Sequence, residues 1–418
     1  MAALPHHGPQ VRLACDAREI VSHAMIPRKI LLLHNRYQQQ GGEDTVVAAE
    51  HDLLARAGYA VDTLILTNDN IGGVVKQAQA ALFTAYNPTS RRLVRQKLRA
   101  NRPDIVHVHN FFPRFSPSIF DACRDENVPV VMTLHNYRLA CANGLLFREG
   151  RPCEACIGGN LLHAVRHACY RKSRLGSAAV AAMIGYHRQV GTWHNKVTRF
   201  IALTEFARTR MIAAGLPPAR IRIKPNFIAD PHPAADPLAA DGEAYALFVG
   251  RLSPEKGAST LIDAWQGIDL PLRIVGDGPE RAQLVAKAPA NATFIGQLDR
   301  QAVLRQMANA SFLIVPSVWY EGFPMTVVET MALGVPVIAA AIGSLRDLLD
   351  DGIEGRHFIA GDAQDLRRVV HEMVENPLGV QQMGIRARQR YLSQLSPERN
   401  LAMLTEIYHE MVAMPDPY

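Results

Sequence analysis

Short runs of aliphatic residues recur along the chain, and each is followed by a longer stretch with helical periodicity. In the first half these runs lie at residues 29–33, 61–66, 104–109, 129–134 and 199–203. Buried strands that alternate with helices are typical of a parallel sheet covered on both faces. We therefore predict a doubly wound, Rossmann-like α/β domain over residues 25–226.

The same alternation restarts after a stretch rich in Pro, Ala and Asp. Residues 227–243 have no periodicity and are interpreted as a linker. Aliphatic runs then follow at residues 244–249, 272–275, 292–295, 312–315, 335–339 and 356–359. This pattern predicts a second Rossmann-like domain over residues 244–395. The remaining residues, 396–418, are expected to form a helix that packs back towards the first domain.

Composition and charge narrow the functional classes. Of the 418 residues, 48% are hydrophobic and 20% are charged, as in ordinary folded domains rather than fibrous or disordered chains. The net charge of +6 is a small excess, so we expect no nucleic-acid partner.

Neither a membrane span nor a leader is expected. The longest apolar stretch, residues 178–184, is shorter than the roughly 20 residues that cross a bilayer. Residues 1–24 lack a signal-peptide pattern and are interpreted as a disordered extension or an upstream start. These features favour a cytoplasmic protein.

Two cations follow the first predicted strand of the second domain. Arg251 and Lys256 lie in the loop GRLSPEKG, at the edge of the sheet where ligands of such folds collect. A charge-assisted hydrogen bond contributes about 1.5 to 3 kcal/mol, so two cations would neutralise a leaving diphosphate without a magnesium ion. The alternative is a surface turn with solvated charges.

Two glutamates flank the start of a later predicted helix. Pro324 suits the first turn of that helix, so Glu321 lies on the loop before it and Glu329 about a turn and a half inside. Amide groups at the helix start, near Gly322 and Phe323, would face an anion. Glu329 would then accept hydrogen bonds from a ribose diol, and Glu321 would reach a transferred sugar. For either glutamate alone, a solvated helix-end carboxylate is the simpler interpretation.

These motifs together resemble the donor half of family-four glycosyltransferases, which adopt the GT-B fold. The resemblance rests on GRLSPEKG, on GDGP with Gly276 and Gly278, on VPS, and on two glutamates separated by seven residues. The stretches KPN at 224–226 and ALTEFARTRM at 202–211 are also similar to that family. The resemblance implies that Arg251 and Lys256 bind the donor diphosphate, that Glu321 lies near the sugar and that Glu329 binds the ribose.

The chain departs from this family at one point. Many members have a Gly-Leu pair where this chain has Pro324-Met325, and the amides of that pair contact the donor. Proline has no N–H, so one expected donor contact is missing here.

The first domain carries candidate residues at its strand ends. Gly41 and Gly42 permit close backbone approach, and they resemble the family loop whose amides approach the donor phosphates; an ordinary turn is the alternative. His109 ends one strand and resembles the active-site histidine of the family, which contacts the transferred sugar or the acceptor. His135 and Asn136 follow the next strand and are expected on the acceptor or sugar side. A single strand-end histidine is more often a structural hydrogen bonder.

The function that the resemblance implies is sugar transfer in polysaccharide assembly. The stretches HNFFPRFSPS and TLHNYRLAC are similar to family members from exopolysaccharide and lipopolysaccharide clusters. We expect a retaining hexosyltransferase that needs no cofactor for catalysis and moves a sugar from a UDP- or GDP-sugar to a glycan or a polyprenyl-diphosphate-linked glycan. An epimerase on the same scaffold and a non-catalytic nucleotide-sugar-binding scaffold stay open as alternatives. A dehydrogenase is disfavoured, because neither half has G-x-G-x-x-G after its first strand.

Four cysteines cluster within a predicted insertion at residues 141–174. Cys141, Cys153, Cys156 and Cys169 have the spacing C-x11-C-x2-C-x12-C. Four such thiols in a cytosolic protein favour a structural zinc site over disulfides, and buried free thiols are an equal alternative. His163 and His167 are alternative ligands or part of a solvated face.

Two basic stretches are candidates for contact with an anionic membrane surface. One comprises Arg91, Arg95, Arg99 and Arg102 on a predicted helix, and the other comprises Arg166, Arg171, Lys172 and Arg174 after the cysteines. Docking on anionic lipid would place the protein peripherally on the inner face of the plasma membrane, next to a lipid-linked acceptor. A solvated basic face is at least as good an interpretation.

Overall fold

A computed structural model describes residues 27–36, 41–67, 83–231, 243–414 and 418. The predicted extension at 1–24 and most of the predicted linker lie outside the described residues. Residues 227–231 have no regular secondary structure. The chain forms two α/β domains, each built on a six-stranded parallel sheet. The predicted two-domain α/β architecture is therefore confirmed.

The sheet of the first domain has the order β2-β1-β3-β4-β7-β8. Its strands are β1 Lys29–Arg36, β2 Ala60–Thr67, β3 Ile105–Asn110, β4 Val130–Leu134, β7 Arg199–Ala202 and β8 Ile221–Ile223. Its helices are α1 Gly42–Arg56, α2 Pro88–Asn101, α3 Ser118–Asp125, α4 Leu162–Arg166, α5 Arg174–Gln189, α6 Thr192–Asn195 and α7 Glu205–Ala213. A small antiparallel hairpin, β5 Phe147–Arg148 and β6 Arg151–Pro152, lies in the cysteine-rich insertion. The hairpin and β8 are the elements that the aliphatic pattern does not predict.

The sheet of the second domain has the order β11-β10-β9-β12-β13-β14. Its strands are β9 Ala246–Val249, β10 Leu272–Val275, β11 Ala292–Gly296, β12 Phe312–Val315, β13 Val337–Ala340 and β14 Gly355–Phe358. Its helices are α8 Ala258–Ala264, α9 Arg281–Lys287, α10 Arg300–Ala308, α11 Met325–Ala332, α12 Leu345–Leu348, α13 Ala363–Val374 and α14 Pro377–Arg390. In both sheets the strand order reverses beside the first strand of the domain, which is where ligands of doubly wound folds bind.

The last helix, α15 Pro397–Val412, packs on the first domain. Its apolar side chains join a core with the strands of the first sheet; this core includes Ile30, Leu32, Ile105, Val131, Leu404 and Met411. A hydrogen bond of 2.8 Å also joins the Tyr408 hydroxyl to Nδ1 of His107. The chain therefore returns to the first domain after completing the second.

The two points where the chain crosses between the domains are joined by side chains of α15, α1 and the segment after β8. Asn400 donates a hydrogen bond from its side-chain amide to the carbonyl of Pro225 at 2.7 Å. The Lys224 ammonium is buried and donates to Glu50 and Asn400, each at 3.0 Å. None of the helices in the described ranges combines the length and the apolar character needed to span a bilayer.

Candidate active site

The carboxyl ends of the two sheets face each other across a narrow gap. A Cβ atom at Gly322 would lie 2.6 Å from the carbonyl oxygen of His135, so only glycine fits at this contact between the domains. A Cβ atom at Gly42 would lie 3.6 Å from the side chain of Met325, at the start of α11. The loops at 41–42, 135–136 and 322–325 therefore meet at one place.

Lys256 is held by the carboxylate of Glu321, the residue before Gly322. Its ammonium donates to Oε1 of Glu321 at 2.8 Å, and the Ser317 hydroxyl donates to the same oxygen at 2.7 Å. The ammonium also lies 5.6 Å from the centre of the Trp319 ring. Since the Glu321 side chain is 6% exposed and that of Lys256 is 28% exposed, the cation is the more accessible partner. Glu321 thus fixes the position of Lys256, and its predicted contact with a sugar stays a prediction.

Glycine backbone shapes the loops around a large cavity. At Gly276, a Cβ atom would lie 1.9 Å from the carbonyl oxygen of Gly250. At Gly278, a Cβ atom would lie 2.3 Å from the carbonyl oxygen of Leu252. The cavity has a volume of about 900 Å³ and is lined by residues 249–251, 275–278, 297–298 and 303. Arg251 is exposed at its wall. This volume is within the range of small-molecule sites.

Glu329 lies inside α11 with a single cationic neighbour among the described residues. Its Oε1 is 3.1 Å from Nη1 of Arg300, and its side chain is 11% exposed. Burial raises the pKa of Glu329, and the charge of Arg300 opposes this rise. Arg300 was missed by the sequence analysis, although the stretch GQLDR after β11 contains it at a strand's carboxyl end.

The first turn of α1 is closed by its own residues. The amide of Gly41 donates to the Asp44 carboxylate at 2.9 Å, and the Asp44 carboxylate also lies 2.8 Å from Nε2 of His34. The Gly41 amide is therefore engaged in capping the helix in this structure. The predicted approach of the Gly41 and Gly42 amides to donor phosphates stays a prediction.

Glu43, which the sequence analysis did not single out, lies beside this turn. Its Oε1 accepts a hydrogen bond from the Asn110 side chain at 2.8 Å. Burial raises the pKa of Glu43 to about 8 and Asp44 adds to the rise, while Asn110, Arg138 and Asn136 oppose it. At neutral pH the carboxyl group therefore carries a proton. Because Asn136 contacts Glu43, this predicted residue also lies at the gap.

His109, the predicted active-site histidine, is enclosed by other side chains. Its side chain is buried, with Nδ1 3.0 Å from Nε2 of His135 and Nε2 3.3 Å from Oε1 of Glu50. Burial lowers the pKa of His109 to about 4, and the charge of His107 contributes. Burial also lowers the pKa of His135. His135 lies on the outer side of this pair, so direct contact of His109 with a substrate stays a prediction.

One buried cluster has ligand atoms spaced as in a metal site, but a lysine ammonium already neutralises its carboxylate. Ligand atoms of Glu50, His107 and His109 lie within 4.8 Å of one another, the one such group in the described ranges. The ammonium of Lys224 lies 3.0 Å from Glu50. Although burial would raise the pKa of Glu50, Lys224 and the two histidines hold it well below its usual range. Lys224 already supplies the positive charge that a metal ion would bring.

The two basic stretches differ in their surroundings. On α2, Arg91 lies 2.5 Å from Asp125, while Arg95 and Arg99 lie 2.6 and 2.9 Å from Glu126. Three of the four arginines in that stretch are therefore paired with acidic groups near the end of α3. The basic residues after the cysteines are exposed, next to Leu162 and Leu175 with exposures of 68% and 85%.

Sequence comparison assigns both halves of the chain to glycosyltransferases. The sequence model described as "Glycosyltransferase Family 4" matches residues 28–230, and the one described as "Glycosyl transferases group 1" matches residues 234–390. Together these matches cover nearly all of the two domains. The chain belongs to glycosyltransferase family 4. The two domains that face a cleft are the GT-B fold of this family.

Relatives of this family-four chain include enzymes named for mannose transfer. The phosphatidyl-myo-inositol mannosyltransferase of Mycobacterium leprae is 34% identical over 197 residues, which are 44% of this chain and 52% of that protein. The GDP-mannose-dependent alpha-mannosyltransferase of Mycolicibacterium smegmatis is 32% identical over 211 residues, 47% of this chain and 56% of that protein. The matched part of the chain spans about half the length of these relatives.

A solved structure shares the fold over a longer stretch. The crystal structure of Anabaena HepE in complex with UDP aligns with a TM-score of 0.66 at 18% identity. The alignment covers 90% of this chain and 98% of that protein. At this identity the likeness extends to the fold alone.

Proposed function

We propose that this family-four chain is a retaining glycosyltransferase that moves a sugar from a UDP- or GDP-sugar to a glycan or polyprenyl-diphosphate-linked glycan in the assembly of a cell-surface polysaccharide. The observation that carries the proposal is the Lys256 ammonium, fixed by Glu321 next to the contact of Gly322 with His135, on a loop whose Gly250 and Arg251 line a large cavity. Sugar transfer agrees with the family and with the names of the relatives.

The proposed chemistry begins with departure of the nucleotide diphosphate. Cleavage of the bond between the sugar C1 and the diphosphate oxygen leaves negative charge on the diphosphate. Arg251, Lys256 and the amides at the start of α11 would stabilise this charge, and a preorganised donor of this kind is worth about two to three powers of ten in rate. With two cations present, we propose that catalysis needs no metal ion.

The acceptor hydroxyl is proposed to attack C1 from the side that the diphosphate leaves. A bond forms between the acceptor oxygen and C1, and the departing phosphate oxygen takes the hydroxyl proton. No protein base is required in this scheme. Retention of the sugar's configuration follows from the shared face of departure and attack, and it is the part of the proposal that rests most on the family resemblance.

Thermal-shift titration with UDP, GDP, ADP and their common sugar conjugates tests the donor class. At a ligand concentration 100-fold above Kd, linkage predicts about 2.7 kcal/mol of stabilisation, which is visible as a rise in Tm. Glu329→Ala should lose the shift, because the ribose partner is gone. Glu375→Ala, at an exposed glutamate of the same domain, should retain it.

The thermal-shift titration distinguishes the donor class, the ribose role of Glu329 and the alternative functions. A shift with one nucleotide that disappears in Glu329→Ala supports that donor and the ribose role. An equal shift in Glu329→Ala overturns the ribose role. If no nucleotide raises Tm, the donor-binding part of the proposal fails; if an altered sugar nucleotide forms without an acceptor, the chain is an epimerase.

Donor affinity is expected to fall as the pH rises through about 8, the pKa of Glu43. Below this pH the carboxyl group is neutral; above it, a negative charge appears beside Gly42, where the diphosphate is proposed to bind. Measuring the nucleotide Kd across this range, with Glu43→Gln as the control, checks the effect. The loss should be absent in Glu43→Gln, and an equal loss in that variant would contradict the assignment. The same proton makes the free energy of unfolding fall as the pH rises from the usual glutamate range to about 8.

We also propose that residues 162–175 contact an anionic membrane surface, since two exposed leucines lie among exposed basic side chains there. A basic residue near such a surface contributes about 1 kcal/mol, so Arg174→Ala should weaken binding about fivefold. Co-sedimentation with phosphatidylglycerol vesicles measures this, with Arg92→Ala on α2 as the control. Equal binding to purely zwitterionic vesicles, or none to either type, would rule out an anionic docking surface.

A further inference from the structure

The four clustered cysteines of the insertion converge on one small cavity. Cys141, Cys153, Cys156 and Cys169 all line it, together with His163. The cavity has a volume of about 10 Å³, which is room for a single atom or ion. The spacing of the four cysteines in the sequence does not require that they meet. Their convergence is therefore a second observation in favour of a metal site.

The local fold brings the thiols together from three segments. The hairpin of β5 and β6 places Cys153 directly after its second strand, where the Cys153 amide donates to the Leu146 carbonyl at 2.7 Å. Cys141 lies in a turn closed by its own amide on the Tyr137 carbonyl at 2.8 Å. Cys169 follows α4, and its amide donates to the Ala164 carbonyl at 3.0 Å.

We infer that Cys141, Cys153, Cys156 and Cys169 bind one structural zinc ion that holds the insertion in place. Four thiolates suit tetrahedral zinc, which structural sites bind with all four positions filled by protein. None of the four is disulfide-bonded. No three of the sulfurs lie within 4.8 Å of one another in the described chain, so closing on the ion requires rotation of the cysteine side chains.

The site has a structural task because the insertion borders the gap between the domains. The segment before Cys141 carries Arg138, whose guanidinium lies 4.6 Å from the centre of the Phe112 ring and donates to the Ala142 carbonyl. Glu154, between two of the cysteines, pairs with Arg210 at 2.7 Å. Tyr320, next to Glu321 in the second domain, also interacts with Glu154. A zinc ion would therefore hold in place the segment around Glu154, which contacts Tyr320 of the second domain.

Metal analysis of the purified full chain tests the site directly. We expect about one zinc ion per chain, released when the thiols are titrated with a mercurial reagent. Replacement of zinc by cobalt should give the intense visible absorption of a tetrahedral thiolate site. Cys156→Ser should lose most of the zinc, whereas Cys123→Ser, at a buried cysteine of α3 outside the cluster, should retain it.

The wild-type measurements keep the test decisive even if Cys156→Ser does not fold. Absence of zinc after growth with added zinc, together with absence of the tetrahedral cobalt absorption, would overturn the inference. Iron with acid-labile sulfide would overturn it in favour of an iron–sulfur cluster. Because these readouts do not depend on nucleotide binding, failure of the zinc site and failure of the proposed transferase function are distinguishable.

Discussion

Lys256→Ala is expected to lower turnover by about two to three powers of ten, the scale for losing one preorganised donor to a developing negative charge. The Lys256 ammonium is the accessible partner of its pair with Glu321, and we propose that it binds the donor diphosphate. The variant should therefore lose stabilisation of the leaving group. Steady-state turnover with the donor identified by thermal shift measures the loss.

This substitution also leaves Glu321 without its cation, so folding must be separated from catalysis. Lys256→Ala combined with Glu321→Gln removes the uncompensated carboxylate; its Tm should be closer to wild type while turnover stays low. Lys287→Ala, at an exposed lysine of α9, serves as the matched control. Turnover near that of wild type in Lys256→Ala would refute the role assigned to this lysine.

The largest expected effect on stability comes from Lys224→Ala, which should lower the free energy of unfolding by about 3 to 5 kcal/mol. The Lys224 ammonium and the Glu50 carboxylate are both buried and 3.0 Å apart. Removing the cation leaves a buried carboxylate uncompensated and removes the hydrogen bond to Asn400. Urea unfolding of the two proteins at the same pH measures the difference.

The paired control neutralises the partner as well. Lys224→Met with Glu50→Gln removes both charges and should recover part of the lost stability, because replacing a buried ion pair by neutral groups costs less than breaking it. If Lys224→Ala and the double variant are equally destabilised, the loss arises from packing and not from an uncompensated charge.

Most of the fold could be predicted from the sequence because its strands are continuous apolar runs. The eleven predicted strands are all present, with ends shifted by a few residues. The strand Ile221–Ile223 and the hairpin of β5 and β6 were missed because segments of two or three residues carry no periodicity. Hydrogen bonding to neighbouring strands, and not the local sequence, defines them.

The sequence predicted those parts of the site whose residues lie within a single loop. Lys256, Gly276 and Gly278 lie in loops whose composition indicates ligand contact. The pairing of Lys224 with Glu50 joins residues 174 positions apart, and that of Arg300 with Glu329 joins two helices. The raised pKa of Glu43 depends on burial of its carboxyl group, against the opposing hydrogen bonds from Asn110 and Asn136, and no pattern within α1 reveals it. Such features arise only when distant segments pack together.

The return of α15 to the first domain makes the second domain an insertion within the first. The chain leaves at Pro225 and comes back at Asn400, and the two points are joined by a hydrogen bond of 2.7 Å. Both crossings therefore lie at one pivot. Rotation of the second domain about this pivot would open or close the gap at Gly322 and His135 without separating α15 from its sheet. Removing α15 would accordingly expose one face of the first sheet, while every strand and helix of the second domain would stay in the chain.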